Sequence, residues 1–453
     1  MKIIIAGCGK IGEAILESLV KENHDLVVID VKPEVIERVT DAYDVIGICG
    51  SGTDTRRLLD AGVDKAGLFV ATMDSDELNM LSCFAAKRLG AAHTVARIRD
   101  VRHNNDNLGY LKEQLELSMI INPERLMAQA LYRIIKFPSA MKVESFARRS
   151  CEIVEFSLRG ESSLCGAALH EMRRAHKANY LICAVQRGGE TYIPDGNFVL
   201  RKGDRIGLLA APEEMHKLLR TLGMTQKTAR TVMIMGGSRI AYYLAQMLVA
   251  GDNYVKIIDR DAARCTELSD LLPGEVVIIH GNGMRQDLLE EEGLQTTDAF
   301  VALTGMDEAN TLMSFFAMDQ KVPKVITKIN QREQVALAEK LGLDCIVSPG
   351  QITADAVVRY ARALANSVGG SVESLYRLMD NGVEALEFSV RQDFKGKNIP
   401  LKDLKMKRNI LVCSIIRNNK TFIPTGADAI CEGDKVIVVA AGMHLAELSD
   451  ILE

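Results

Sequence analysis

No stretch of the 453 residues approaches about 18 uninterrupted apolar positions, so no part of the chain is expected to cross a membrane as a helix. The ten cysteines, Cys8, Cys49, Cys83 and Cys345 among them, form no C-x-x-C pair. That scatter reads as reduced, cytoplasmic thiols and removes the usual zinc spacing. The eight histidines make no H-E-x-x-H, and His170 and His176 read as two helix-surface residues rather than a metal pair. A signal-peptide pattern is missing as well: the short apolar run Ile3 to Ala6 runs straight into glycines, which suits a buried strand. There is no low-complexity linker, no P-loop and no nucleophile elbow. A formal net charge of -5 argues against nucleic acid as the partner, because phosphate-backbone binding needs a basic surface. What remains is an ordinary globular balance, 47% apolar and 25% charged, over a length that implies three or four domains.

The sequence repeats itself. An offset of 229 carries Gly7 to Gly236, Gly9 to Ser238, Gly12 to Ala241 and Asp30 to Asp259. An offset of 231 carries Gly50 and Gly52 to Gly281 and Gly283, Asn79 to Asn310 and Arg97 to Lys328, and Pro123 matches Pro349. Later, EFSLR from Glu155 matches EFSVR from Glu387, YIPDG from Tyr192 matches FIPTG from Phe422, and Gly203-Asp204 matches Gly433-Asp434. The chain is a tandem duplication of a unit of about 225 residues, with loop insertions accounting for the drift.

Each unit has two characters. The first part alternates apolar runs (KIIIAG, DLVVID, VIGIC, LFVAT, TVARI) with helical spacing such as Ile11, Ala14, Ile15, Leu19. That alternation predicts a parallel sheet with right-handed crossovers. Pro123 then opens a helix over 124–137 that Pro138 closes. From about Glu152, short strand-like runs (IVEFSL, YLICAVQ, RIGLLA) surround one helical stretch, 167–174, and the second copy repeats the order with LEFSV, ILVCSIIRN and KVIVVAA. The fold class is therefore α/β: two Rossmann-like parallel-sheet domains, 1–138 and 227–365, each followed by a small α+β module, 139–226 and 366–453.

Gly7-x-Gly9-x-x-Gly12 lies between a strand and a helix, with Asp30 ending the next strand. In that context each glycine has its own part to play. Gly7 permits the turn, Gly9 the approach of a pyrophosphate, Gly12 the helix–strand packing. Cys8, Lys10 and Ile11 complete the turn, and the helix N-terminus offers N–H groups to phosphate. Asp30 suits ribose hydroxyls and repels a 2′-phosphate, favouring NAD or an adenine nucleotide over NADP. In the second copy Gly236, Gly237, Arg239, Ile240 and Asp259 keep the pattern, but Ser238 sets a Cβ where pyrophosphate should approach. Weaker binding, a different nucleotide and no binding all stay open there. Ser51-Gly52 after the third strand, Thr72-Met73 after the fourth and Arg97 on the fifth outline the crevice at the strand ends, with Arg97 placed to pair with phosphate. A dehydrogenase needs a second domain with an acid or base, and no such constellation recurs in both small modules. An NAD-dependent oxidoreductase therefore stands as the alternative to a non-catalytic nucleotide sensor. A redox role for Cys8 has little behind it, since the second turn position tolerates many residues.

GCGKIG, the Asp at the second strand end, GSGT, VARIRD, and an α+β module closed by IPDG and KGDRI resemble the RCK family, regulators of conductance of potassium. Two such units in one chain resemble the peripheral subunits of bacterial Trk potassium-uptake systems, over essentially the whole length. The resemblance implies a regulatory, non-enzymatic protein on the cytoplasmic face of the membrane. It would form a ring of four chains beneath an integral membrane potassium-transport subunit (TrkH/TrkG-like), and an RCK-type regulator of another ion transporter is the related alternative. It also implies binding of NAD (NAD+ or NADH), and of ATP or ADP, in the Rossmann-like clefts. Gly7 to Ile11 would hold pyrophosphate, Asp30 the ribose, Ser51 and Gly52 the adenosine side, Thr72-Met73 the ligand edge and Arg97 the phosphates. The matching second positions are Gly236 to Ile240, Asp259, Asn282, Thr304 and Lys328. The helices after Pro123 and Pro349 would cross between paired N-domains, and the small modules either bind a further effector or only pair the subunits.

Overall fold

The computed structural model describes residues 1–453 other than 23, 101–104, 138, 147–149, 159–163, 167, 177–178, 222–228, 368–371, 380–381, 419 and 446. The first domain contains strands β1 (Lys2–Ala6), β2 (Asp25–Asp30), β3 (Ile46–Cys49), β4 (Leu68–Ala71), β5 (His93–Arg97) and β6 (Met119–Ile121). Between and after them run helices α1 (Lys10–Val20), α2 (Pro33–Ala42), α3 (Thr55–Asp60), α4 (Asp76–Leu89), α5 (Asn105–Gln114) and α6 (Pro123–Lys136). The first small module holds β7 (Lys142–Phe146), β8 (Cys151–Ser157), β9 (Tyr180–Arg187), β10 (Glu190–Tyr192) and β11 (Arg205–Ala210), with α7 (Leu169–His176) and α8 (Pro212–Thr221).

The second parallel domain repeats the first with β12 (Thr231–Met235), β13 (Tyr254–Asp259), β14 (Val277–His280), β15 (Ala299–Ala302), β16 (Lys324–Lys328) and β17 (Ile346–Val347). Its helices are α9 (Arg239–Val249), α10 (Ala262–Leu271), α11 (Gln286–Glu291), α12 (Asp307–Asp319), α13 (Arg332–Lys340) and α14 (Pro349–Ser367). The last module has β18 (Val372–Leu378), β19 (Val383–Ser389), β20 (Ile410–Arg417), β21 (Lys420–Phe422) and β22 (Lys435–Ala441).

Both parallel sheets have the same order, β3-β2-β1-β4-β5-β6 and β14-β13-β12-β15-β16-β17, the doubly wound arrangement whose direction reverses at the first strand. KIIIA and TVMIM sit in the middle of their sheets, and residues 3–6 and 232–235 are buried, as the continuous apolar runs of a sheet covered on both faces require. The small modules are antiparallel, ordered β10-β9-β11-β8-β7 and β18-β19-β22-β20-β21. Among the described residues no helix is long and apolar enough to cross a membrane.

Packing gathers like with like. One compact unit joins Met1–Tyr132 with Arg230–Ala361, and the other joins Arg133–Ala229 with Arg362–Glu453. Within the first unit the two crossing helices are exchanged. Asn122, just ahead of α6, donates to the Tyr243 hydroxyl of α9 at 3.2 Å. In return, Gly350 of α14 abuts Ala14 of α1, and Tyr360 of α14 meets His93 of β5 edge-on with ring centroids 6.4 Å apart.

Three expectations are corrected. The first crossing helix runs Pro123–Lys136 rather than 124–137, and Pro138 lies outside the described residues. The helix expected from 167 begins at Leu169, because Ala168 is held extended by bridging to Val199; residue 167 itself lies outside the described residues. The second module does not repeat that helix. There Pro400 bridges to Ala429, and only a 3-10 turn, Leu401–Asp403, follows.

Candidate functional site

The first glycine turn is built by steric necessity at two of its three glycines. Gly7 has φ +89°, and a Cβ there would stand 2.7 Å from the Met73 amide nitrogen. A Cβ on Gly12 would meet the Gly7 carbonyl oxygen at 2.1 Å. Gly9 differs: nothing lies within 4 Å of its would-be Cβ, and both Gly9 and Lys10 are exposed. Gly9 is the N-cap of α1 and offers no side chain to its first turn, where Ile11 and the buried Gly12 follow. The result is an open space in front of a helix start whose amides are uncapped, the arrangement that attracts phosphate.

Asp30 closes the side of this turn. One carboxylate oxygen accepts from Cys8 N–H at 2.7 Å and the other from Lys32 N–H at 3.0 Å. The Cys8 thiol is buried, and burial pushes its pKa up to about 12, so the folded turn holds it protonated at neutral pH. Thr72 is buried, and its hydroxyl donates to the Gly7 carbonyl at 2.6 Å. Ser51 and Thr53 share a hydroxyl–hydroxyl bond of 2.8 Å, and Ser82 donates to the Gly52 carbonyl beneath them. Arg97 is 6% exposed, its guanidinium donates to the Met73 carbonyl, and its Nε has no hydrogen-bond partner among the described residues. Burial lowers its pKa, and Arg99 pushes the same way while Glu124, Asp74 and Asp76 oppose.

The second turn repeats the backbone and changes the contents. Gly236 has φ +102°, and a Cβ would lie 2.9 Å from the Thr304 amide nitrogen. Asp259 accepts from Gly237 N–H at 2.5 Å and Asp261 N–H at 2.8 Å, as Asp30 does in the first copy. A Cβ on Gly237 would lie 2.7 Å from a Leu268 methyl, which would have to shift to admit a side chain. Ser238 has the backbone of Gly9, extended with φ -67°, but its hydroxyl accepts from Ala241 N–H at 3.3 Å and caps α9. Arg264 donates through Nε to the Gly237 carbonyl, Arg239 is exposed and Ile240 is buried. Asn282 accepts from Met284 N–H at 3.0 Å in the position of Ser51. Thr304 occupies the place of Met73, and the buried Leu303 that of Thr72, so the hydroxyl-to-turn bond of the first copy is missing. Lys328 is 7% exposed and reaches the Leu303 carbonyl at 3.4 Å. Burial lowers its pKa, Asp307 and Glu124 oppose, and Lys10 adds to the lowering.

Two pairs hold these strand ends: Asn79 and Asn310, which the repeat aligned without giving them a role, and Asp76 and Asp307, which sequence reasoning missed. Asn79 is fully buried, accepting from Met73 N–H at 2.7 Å and donating to the Met73 and Arg97 carbonyls at 3.0 and 2.9 Å. Asn310 does the same for Thr304 and Lys328. Asp76 takes the amides of Arg99 and Asp100, and Asp307 those of Asn330 and Gln331, at 2.8 Å throughout. A polar residue recurring at the repeat offset on an otherwise packed helix face was the available signal.

The family model described as TrkA-N domain matches residues 3–123 and again 232–349, the two parallel-sheet regions, and that described as TrkA-C domain matches 153–223. A Trk system potassium uptake protein TrkA homolog of Archaeoglobus fulgidus is 31% identical over 453 residues, covering 100% of both chains. The Trk system potassium uptake protein TrkA of Haemophilus influenzae is 29% identical over 97% of this chain and 95% of its own. Among solved structures, the GsuK RCK domain superposes with a TM-score of 0.64 at 17% identity, covering 97% of this chain and 92% of that one. A GsuK channel bound to NAD superposes at 0.63 and 18%, covering 97% and 77%. The fold is thus that of RCK domains, and with two TrkA-N regions and an end-to-end relative at 31% identity, the chain belongs to the TrkA family.

Proposed function

We propose that this protein is a cytoplasmic nucleotide-sensing subunit that regulates a membrane potassium-uptake protein, and that it binds NAD(H), and ATP or ADP, without turning them over. The observation that carries the reading is the open, uncapped start of α1 at Gly9, with Asp30 fixed beside it. Pyrophosphate would sit on the amides of residues 9–12, ribose against the remaining lone pairs of Asp30, and adenosine toward Ser51 and Gly52. Thr72 and Met73 would form the ligand edge, and Arg97 would turn toward phosphate. In the second cleft Gly236 to Ile240, Asp259, Asn282, Thr304 and Lys328 would take the corresponding parts. The domain limits we assign are 1–138, 139–226, 227–365 and 366–453.

The exchanged helices α6 and α14 give such a site a route to a partner. A nucleotide that binds one arrangement of the paired lobes better than another shifts their populations, tenfold for each 1.4 kcal/mol of preference. Joining both lobes in one chain raises their effective concentration for each other. Apolar side chains left exposed on α4 (Leu81, 53%) and at the matching place on α12 (Leu312, 54%) favour assembly with further copies, in keeping with a ring of four beneath an integral membrane potassium-transport subunit. The test is potassium flux through the co-reconstituted membrane subunit while NAD, NADH, ATP and ADP are exchanged. We expect flux to change with the nucleotide and NADH to remain unconsumed. Flux indifferent to every nucleotide, or steady NADH oxidation by the protein alone, would overturn the reading.

A further inference from the structure

The thiols that look scattered along the sequence are not scattered in the second compact unit. Cys151 on β8, Cys183 on β9 and Cys413 on β20 are fully buried in one apolar cluster that both small modules build, together with Ala184, Leu209, Ile437 and Val439. Cys183 and Cys413 are repeat equivalents, 230 residues apart, and none of the three is in a disulfide. Strand β9 packs near β20, so the pseudo-symmetry of the duplication brings the same residue of each module to the other.

Both cysteines are also the extra residue of a β-bulge. In the first module Ile182 pairs with Leu208 and Ala184 with Gly207, which leaves Cys183 unopposed. In the second Val412 pairs with Val438 and Ser414 with Ile437, which leaves Cys413 unopposed. A bulge re-aims a side chain that a regular pleat would send elsewhere. Here each turns a thiol inward: Cys183 Sγ lies 3.3 Å from the Gly207 carbonyl, Cys413 Sγ 3.5 Å from the Leu411 carbonyl, and both thiols belong to the same buried cluster where β9 packs near β20.

We propose that Cys183 and Cys413 are an oxidisable pair whose disulfide locks the two small modules together. The oxidant class is a hydroperoxide. The thiolate of one cysteine attacks the O–O bond of hydrogen peroxide, giving a sulfenic acid and, after proton transfer, one water. The second thiol attacks the sulfenic sulfur, the S–S bond forms, and its proton leaves with the hydroxyl as a second water. Two thiols are oxidised by two electrons and one peroxide is reduced to two waters. Burial pushes the Cys413 thiol far above the ordinary cysteine range, so the first attack waits for the modules to part and the rate of cross-linking reports that opening. Cys151, whose thiol burial also pushes up, lies in the same cluster and is the competitor for pairing.

The test uses the full chain, treated with hydrogen peroxide, denatured, alkylated and mapped by mass spectrometry without reduction. We expect a peptide pair joined through Cys183 and Cys413, retained in Cys151→Ser and absent in Cys413→Ser. The oxidised wild type should also show an upward shift of its thermal midpoint that reductant reverses. Full alkylation of both thiols after peroxide, or a cross-link from either of them to Cys151 instead, would overturn the proposal. Because the wild-type map alone decides the pairing, misfolding of a variant does not rescue it.

Discussion

In front of α1 there is open space, because Gly9 ends in a hydrogen; in front of α9 the Ser238 hydroxyl fills the corresponding point and turns back to the Ala241 amide. The two turns otherwise share their construction, with a left-handed glycine against the fourth strand and an aspartate holding the next backbone amide. One duplicated scaffold thus leaves the helix start without a side-chain cap in one copy and caps it in the other. The aspartate cannot tell the copies apart. The residue at the helix N-cap can.

The largest way to break the comparison is at the third turn position. Gly12→Ala drives a Cβ to 2.1 Å from the Gly7 carbonyl and should cost about 1–3 kcal/mol in denaturant unfolding, with nucleotide binding lost in the same variant. The second copy carries Ala241 at this position, so Ala241→Gly should cost about 1–2 kcal/mol, through helix propensity and the loss of a buried methyl, with no clash relieved. Next come the carboxylates under the fifth strands. Asp307 holds two backbone amides and the Asn330 side-chain amide, and Asp307→Ala should cost about 1–3 kcal/mol by the same measurement. Asp76→Ala, which frees two amides, should cost no more than that.

The strands and helices of the parallel domains were legible because alternating apolar runs and helical spacing are local signals. The roles of Asp30 and Asp259 were only half legible. Their place at a strand end can be read, but their grip on an amide 22 residues upstream exists only once the turn is folded. The repeat aligns Thr304 with the pair Thr72-Met73, and the fold resolves it to Met73; Leu303, chemically unlike Thr72, gave no motif to align. The last module keeps the bridge that precedes the helix in the first, Pro400 to Ala429 in place of Ala168 to Val199, yet the segment from there to the next strand is shorter and holds only a 3-10 turn, a difference that the shared order of strands did not reveal.

Two smaller effects sharpen the contrast. Cys8 titrates near 12 in the fold against an ordinary value of 9.0, so the unfolded chain loses its proton first and stability falls as pH rises from about 9 to about 12. Cys8→Ala should flatten that part of the pH–stability curve, while at neutral pH the exposed Cys49 alkylates and Cys8 does not. The smallest effect on stability is that of Ser238→Gly, a few tenths of a kcal/mol, since glycine is nearly as good a cap. The same change should strengthen nucleotide binding in the second cleft, visible as a second, tighter phase in calorimetry.

The most direct measurement is calorimetric titration of NADH into wild type and Gly9→Ser. Position 9 has a backbone that serine adopts at Ser238 and nothing within 4 Å of a Cβ, so the variant should fold with an unchanged thermal midpoint. We predict that its added hydroxyl caps α1 and that affinity at the first cleft falls at least tenfold. Unchanged NADH affinity in a folded Gly9→Ser protein would contradict the claim that the open start of α1 is where the nucleotide is held.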